Sequence, residues 1–438
     1  MAINDCSARA KKGNTKVMVA ACSSDDLPDT IWTLMQRSPM KATTAVVSTT
    51  TVQITTAFAA LTIPGLTAVV QRQSGFHAIN PGTFISILYA AAAMATILSG
   101  LAVQSLGAMK TCQVAVLCCA TGLLFALHGS AVSLIAAAIA LGFGYGPITP
   151  ASSQLLSATT SAGNRRLIFS LKQIGVPVGT ALAGALVPVM TVRFGWEAAL
   201  SVVAVVCVAI AAAIHPLASG SSQEHTVNGG QRQVWWRSIG VAMAHPYLRL
   251  LSLSAFVLGG AQMCASTFVV SYFYDKVGYS PLRAGAMVTV ANVSGAIFRL
   301  VWGIVADRGA SPRLLLAALS LAACFAEVAI SSTRLMTSYM SAIAICLVLG
   351  AAVIGWNGVL LSEAADAAPP EKVASAIAGC LFFSFGGVMT FPAVFGVLVS
   401  VSGGFAMPWL MMALANGLLG AVLLGGVVLR KRASHVST

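Results

Sequence analysis

Apolar residues in this chain do not alternate with polar ones as on a half-buried strand, nor form the stripe of a surface helix. They run for about 20 positions at a time, the length of helix that crosses a bilayer core. Short polar or Pro- and Gly-containing links break these runs. The breaks predict helices near 43–66, 84–104, 111–128, 131–156, 167–190 and 196–215, then near 248–273, 284–306, 313–332, 338–365, 373–399 and 405–429. In lipid such runs must be helical, because an open strand or loop cannot satisfy its own backbone there.

Two longer polar stretches divide the pattern. Residues 1–42 form a low-complexity tail, expected to be cytoplasmic and disordered, and lack the apolar core of a signal peptide. Residues 216–247, rich in Ser, Gln, Gly and His, read as a cytoplasmic linker. The predicted fold is therefore an all-α membrane protein with a six-helix bundle over 43–215, a second over 248–429, and a short cytoplasmic tail at 430–438.

Composition sharpens this reading by exclusion. Of 438 residues, 57% are hydrophobic and 8% are charged, against about 25% charged in a soluble domain. So few charges cannot cover a water-soluble protein of this size. The net charge of +13 is scattered rather than gathered on one face, so nucleic acid is not an expected partner. With both termini inside, eighteen Lys and Arg fall on the inner side and five on the outer. By the positive-inside rule this predicts cytoplasmic termini and an even number of spans, in the inner (plasma) membrane. Most of the ten Cys lie inside the helices without metal-ligand company and read as packing thiols.

An internal repeat carries more information than composition. Gly75 to Gly82 precede Gly278 to Gly285 by 203 positions, with Gly, aromatic, aliphatic and Gly in register. At the same offset Gly100 meets Gly303 and Gln104 meets Asp307. Leu141-Gly142 meets Leu349-Gly350 at 208, and Gln53 meets Gln262 at 209. Two related halves around a central path are a common plan for secondary carriers.

The segment Gly303-Ile304-Val305-Ala306-Asp307-Arg308-Gly309 resembles the Gly-x-x-x-Asp-Arg-x-Gly signature of the major facilitator superfamily. Its first-half copy, Gly100 to Gly107, looks like the same motif with Gln104 for the Asp and Ser105 for the Arg. With the twelve runs and the linker, the resemblance covers nearly all of 43–430. It implies alternating access, and a gate at the signature that stabilises the outward-facing state. Glu363 occupies the place where an acid often joins that gate, so Asp307, Arg308 and Glu363, with Arg313, are expected to form a charged latch. The other reading is that they are solvated loop charges. Gln104 cannot supply an ionic latch to the first half.

Charges inside the spans are costly and read first as functional. Lys172 in helix 5 has two readings, a substrate contact or a cation snorkelling to the interface. Arg299 in helix 8, with Asn292 two turns earlier, resembles the helix 8 Arg of monocarboxylate and oxalate carriers; a structural pair is its alternative. Glu327 in helix 9 reads as a local pair or an interfacial group. Gln53, Tyr145, Gln173, Gln262, Trp356 and Asn357 complete the candidate substrate contacts, because an amide or ring N–H in an apolar helix needs a partner. For Trp356 the competing reading is packing.

There is no nucleotide loop, no metal spacing and no His–carboxylate set. The chain is therefore expected to be no enzyme and to need no cofactor. The expectation is a monomeric secondary transporter of a small organic solute, with the bilayer as its solvent. A carboxylate is favoured because the two clearly embedded charges, Lys172 and Arg299, are both positive; symport with a coupling proton is one option. Efflux of drug-like compounds, or a non-transporting receptor, are the alternatives.

Overall fold

Pro81, Pro246, Pro281 and Pro312 each stand at the first position of a helix. Proline suits that place, since its missing N–H would have no partner there and its φ is already helical. Asn80, His245 and Ser280 cap three of these starts by accepting from Gly82 N, Tyr247 N and Arg283 N. The first turns carry polar residues, so the apolar runs marked these starts one to three residues late.

The computed structural model describes residues 42–70, 80–159, 171–220, 235–369 and 372–436. The described residues contain twelve helices long and apolar enough to cross a membrane. We number them as spans 1 to 12: Ala42–Thr67, Pro81–Leu106, Ala108–Ala126, Ala131–Leu156, Leu171–Phe194, Trp196–Ala213, Pro246–Lys276, Pro281–Ala306, Pro312–Ser331, Tyr339–Asp366, Ser375–Ser402 and Ala406–Gly425. No strand occurs among the described residues. The start of the first repeat copy, 75–79, the beginning expected for span 5, 167–170, and nearly all of the 1–42 tail lie outside them.

Several links between spans are short. Gly107 (φ 85°) and Gly195 (φ 87°) turn the chain from span 2 to 3 and from span 5 to 6, a conformation that a Cβ would strain. Ten of the last thirteen residues of the expected linker are not loop. Trp235–Ala244 is a helix, with Ser238 and Ala242 buried against Gly379 of span 11. Ile239, Val241 and Ala242 give it an apolar side that the polar residues upstream conceal.

Ala45–Thr438 forms one compact unit, and packing within it repeats. Span 2 lies on span 4 as span 8 lies on span 10, and spans 3 and 6 pair as spans 9 and 12 do. The correspondence reaches single atoms. A methyl group on Gly142 would collide with the Leu88 carbonyl oxygen, and one on Gly350 with the Ala291 carbonyl oxygen. Leu88 and Ala291 differ by the repeat offset of 203, Gly142 and Gly350 by 208. Backbone-to-backbone contact of this kind leaves no room for relaxation. Gly350→Val should therefore cost about 2 kcal/mol or more, read as a lower melting temperature in detergent; an unchanged melt would contradict the packing.

The halves meet through spans 2 and 11 and through spans 5 and 8. Asn80 Nδ2 donates to the Gly396 carbonyl (3.0 Å), Ser86 Oγ to Met389 O (2.6 Å) and Thr289 Oγ1 to Ala181 O (3.1 Å). A Cβ on Gly82 would strike the Pro392 carbonyl oxygen, and one on Gly184 the Val288 side chain. All these contacts sit toward the face opposite the 2–3 and 8–9 turns. Toward the turn face, a Cβ on Gly100 or on Gly303 would meet nothing within 4 Å. The halves are thus in close contact at the far face, whereas nothing of the other half packs on Gly100 or Gly303.

Candidate functional site

Span 10 is interrupted. Its helix runs Tyr339–Val353 and resumes at Asn357–Asp366, with Ile354, Gly355 and Trp356 in the turn between. The Gly350 carbonyl accepts from both Ile354 N (3.0 Å) and Gly355 N (3.2 Å). Ala351 and Ile354 carbonyls are left needing donors, and side chains of span 8 supply them. Trp302 Nε1 donates to Ala351 O and Arg299 Nη2 to Ile354 O, each at 2.9 Å.

Span 4 has the same construction. Its helix stops at Tyr145 and restarts at Ile148, and Thr96 Oγ1 of span 2 donates to the Gly146 carbonyl at 3.0 Å. Thr96 and Arg299 differ by 203, Gly146 and Ile354 by 208. Arg299 is therefore the second-half counterpart of a threonine that ties a broken helix. The longer side chain does more. Its Nη1 reaches the Gln173 carbonyl of span 5 at 2.8 Å, so one guanidinium holds both halves. Arg299 is 6% exposed, and its Nε is buried with no partner.

Around it stand other unmatched polar groups. Two residues beyond Gln173, Gly175 packs on Gln53 of span 1, where a Cβ would lie 3.0 Å from Gln53 Cβ. Gln53 is buried and its Oε1 has no partner; the same holds for Thr50 Oγ1. Tyr145 stands against Tyr89 and close to Arg299. The two rings meet edge to face at 5.4 Å, and Tyr89 lies 6.3 Å from the Phe385 ring of span 11. Buried donors and acceptors without partners are rare in native proteins. Here they gather where spans 1, 5 and 8 meet.

The structure thus brings together Gln53, Tyr145, Gln173 and Arg299, whereas Trp356 packs in the apolar core with Leu251, Leu316 and Leu419. Asn357 follows Trp356 as the first residue of the resumed helix, and Gln262 is half-buried on span 7. Asn292 is 2% exposed, and its Nδ2 is spent on the Val288 carbonyl of its own helix. Lys172 is 1% exposed and turns into the first half, where Nζ donates to Thr149 O (3.3 Å) and Ser153 Oγ (3.5 Å) of span 4. The two embedded cations face different partners.

Only part of the expected charged latch lies among the described atoms. Glu363 accepts from the Tyr247 hydroxyl. The Arg313 guanidinium stacks on the Tyr247 ring at 5.5 Å and donates through Nε to Leu423 O. Arg308 is exposed, as is Gln104; the Asp307 side chain lies outside the described atoms. Sequence reading missed Tyr89, Thr50, Thr96 and Asn80, though subtracting 203 from Arg299 would have found Thr96.

Residues 49–379 match the Major Facilitator Superfamily. The chain belongs to this superfamily. Among solved structures it resembles the nucleoside transporter NupG at 14% identity, with a TM-score of 0.69, over 88% of this chain and 99% of that one. It also resembles a bacterial homolog of the human lysosomal transporter Spinster, inward-facing and unoccupied, at 11% identity and a TM-score of 0.66, over 88% and 96% of the two chains. No curated protein matches. Membership in the superfamily makes the protein a multi-pass membrane transporter, and the likeness at this identity speaks for the fold.

Proposed function

We propose that this superfamily member moves a small organic anion, a carboxylate, across the cell's inner membrane by alternating access, with both termini in the cytoplasm. The observation that carries the reading is Arg299: its two Nη groups are tied to carbonyls of opposite halves while its Nε is buried and free. A carboxylate is the natural partner of a guanidinium, binding it through two parallel bonds. Displacing the Gln173 and Ile354 carbonyls would loosen one tie between the halves and one tie inside the second. Binding would then be linked to the change of conformation. The adjoining Tyr89, Tyr145 and Phe385 rings suit the hydrocarbon part of such an acid. Lys172 is better read as a buried brace of spans 4 and 5, with no direct part in binding.

The same aromatic group favours a second reading, efflux of apolar ring compounds, in which Arg299 serves only as the tie. Melting temperatures of the purified protein against aliphatic and aromatic acids, nucleosides, sugars and cationic drugs separate the two. Stabilisation by acids alone supports the anion carrier, and stabilisation by neutral or cationic drugs alone supports efflux.

On this orientation the turn face is cytoplasmic, and this conformation is read as the inward-open one. Gly303 meets nothing here, so its close contact belongs to the opposite, outward-open form. Asp307→Asn should therefore lower the outward-open population, seen as faster labelling of a cysteine placed near Gly100 from the cytoplasmic side. An unaltered labelling rate would remove the gate from the account.

A further inference from the structure

A second buried polar cluster lies away from the central site, between spans 9 and 12. Glu327 is 1% exposed and Asn416 is 0% exposed. Asn416 Nδ2 donates to Glu327 Oε1 and to Oε2, both at 2.9 Å. That arrangement leaves Asn416 Oδ1 buried with no partner, and a carboxylate answered by one amide.

The elements packed around the pair offer no counter-charge. The titratable groups close to Glu327 are the thiols of Cys264 on span 7 and Cys324 on span 9. Span 10 carries no ionisable side chain between Tyr339 and Glu363 except Cys346, and span 12 none within Ala406–Gly425. The cations of these spans stand at their ends: Arg249, Lys276 and Arg334 are exposed, and Arg313 is spent on Leu423 O and the Tyr247 ring. A lone anion in such a place is among the costliest things a membrane protein can hold.

One proton resolves both anomalies. The two ends of an asparagine amide are assigned from the network around them, and rotating the amide by half a turn exchanges them. Oδ1 then accepts from a protonated Glu327 carboxyl, while Nδ2 donates to the other carboxyl oxygen. The result is a closed ring of two hydrogen bonds, with no charge and no orphaned oxygen. We propose that Glu327 and Asn416 form a proton-binding site of the second half, and that it is loaded in this conformation. The site does not depend on the carboxylate reading of the central cavity. It gives the carrier a proton-bearing acid in a half whose central site has none, and the proton cannot leave unless spans 9 and 12 part or water enters.

The test is infrared spectroscopy of the full chain in lipid at neutral pH, uniformly labelled with 13C-glutamate, with wild type, E327Q and N416A compared. The sequence holds five Glu, so the label isolates few carboxyls. The expected result is a protonated-carboxyl C=O band in wild type that is lost in E327Q and shifted in N416A, where the amide partner is gone. A labelled wild-type spectrum with carboxylate bands alone would overturn the proposal, and that arm needs no variant to fold. A protonated band that survives in a folded E327Q protein would overturn it as well. Melting curves establish which variants fold.

Discussion

Arg299→Ala should reduce uptake of small organic acids into proteoliposomes to the background of empty vesicles, a loss of at least a hundredfold, with the protein still inserted in the membrane. The expectation follows from the number of partners that the guanidinium serves. The Gln173 and Ile354 carbonyls hold the guanidinium in this conformation, and a carboxylate guest competes for the same N–H groups. Alanine removes all three at once, and leaves the Ile354 carbonyl of a broken helix without its donor, at a cost of about 1–3 kcal/mol. Arg299→Lys separates the contributions. A lysine keeps the charge but is a point donor that cannot bridge two carbonyls in a fixed plane. Weak residual uptake in the Lys variant, with none in Ala, would fit a role in which charge binds and planarity couples. Full uptake in Ala would remove Arg299 from the binding site.

The second large effect belongs to the far face. Gly82 lies against the Pro392 carbonyl across the boundary between the halves, so any side chain there acts as a wedge. Gly82→Val should force the far ends of spans 2 and 11 apart and make the arrangement described here inaccessible. Single cysteines near Gly100 should become at least tenfold slower to label from the turn face, and transport should stop because the cycle cannot close at the far side. Unchanged labelling would mean that the closed face tolerates a gap, contrary to its backbone-to-backbone packing. Gly303→Val is the mirror control: it meets open space in this conformation and should wedge only the opposite one.

Much of this architecture was legible before any coordinates. The span count follows from apolar run length, and the two-fold plan follows from matched glycines, because close backbone contacts tolerate no other residue and so leave a fixed spacing. Arg299 was legible as well, since a guanidinium in an apolar run has few cheap explanations. What could not be read was direction. Lys172 and Gln173 are neighbours in sequence, yet one turns to span 4 and the other offers its carbonyl to span 8. Hydropathy does not encode which side of a helix meets which neighbour. The interruption of span 10 was hidden for a related reason: Ile354-Gly355-Trp356 is as apolar as helix, and only the hydrogen bonds reveal that it has left one. Glu327 drew notice alone, but its partner Asn416 sits 89 residues away in an unremarkable apolar stretch.

The short helix Trp235–Ala244 bears on how the molecule could be dissected. By chain order it belongs to the connector, but its buried side chains are shared with span 11. A laboratory wishing to produce the carrier as two co-expressed fragments should therefore begin the second ahead of Trp235, so that this strut travels with the bundle it braces; starting at Pro246 would strip a layer from it.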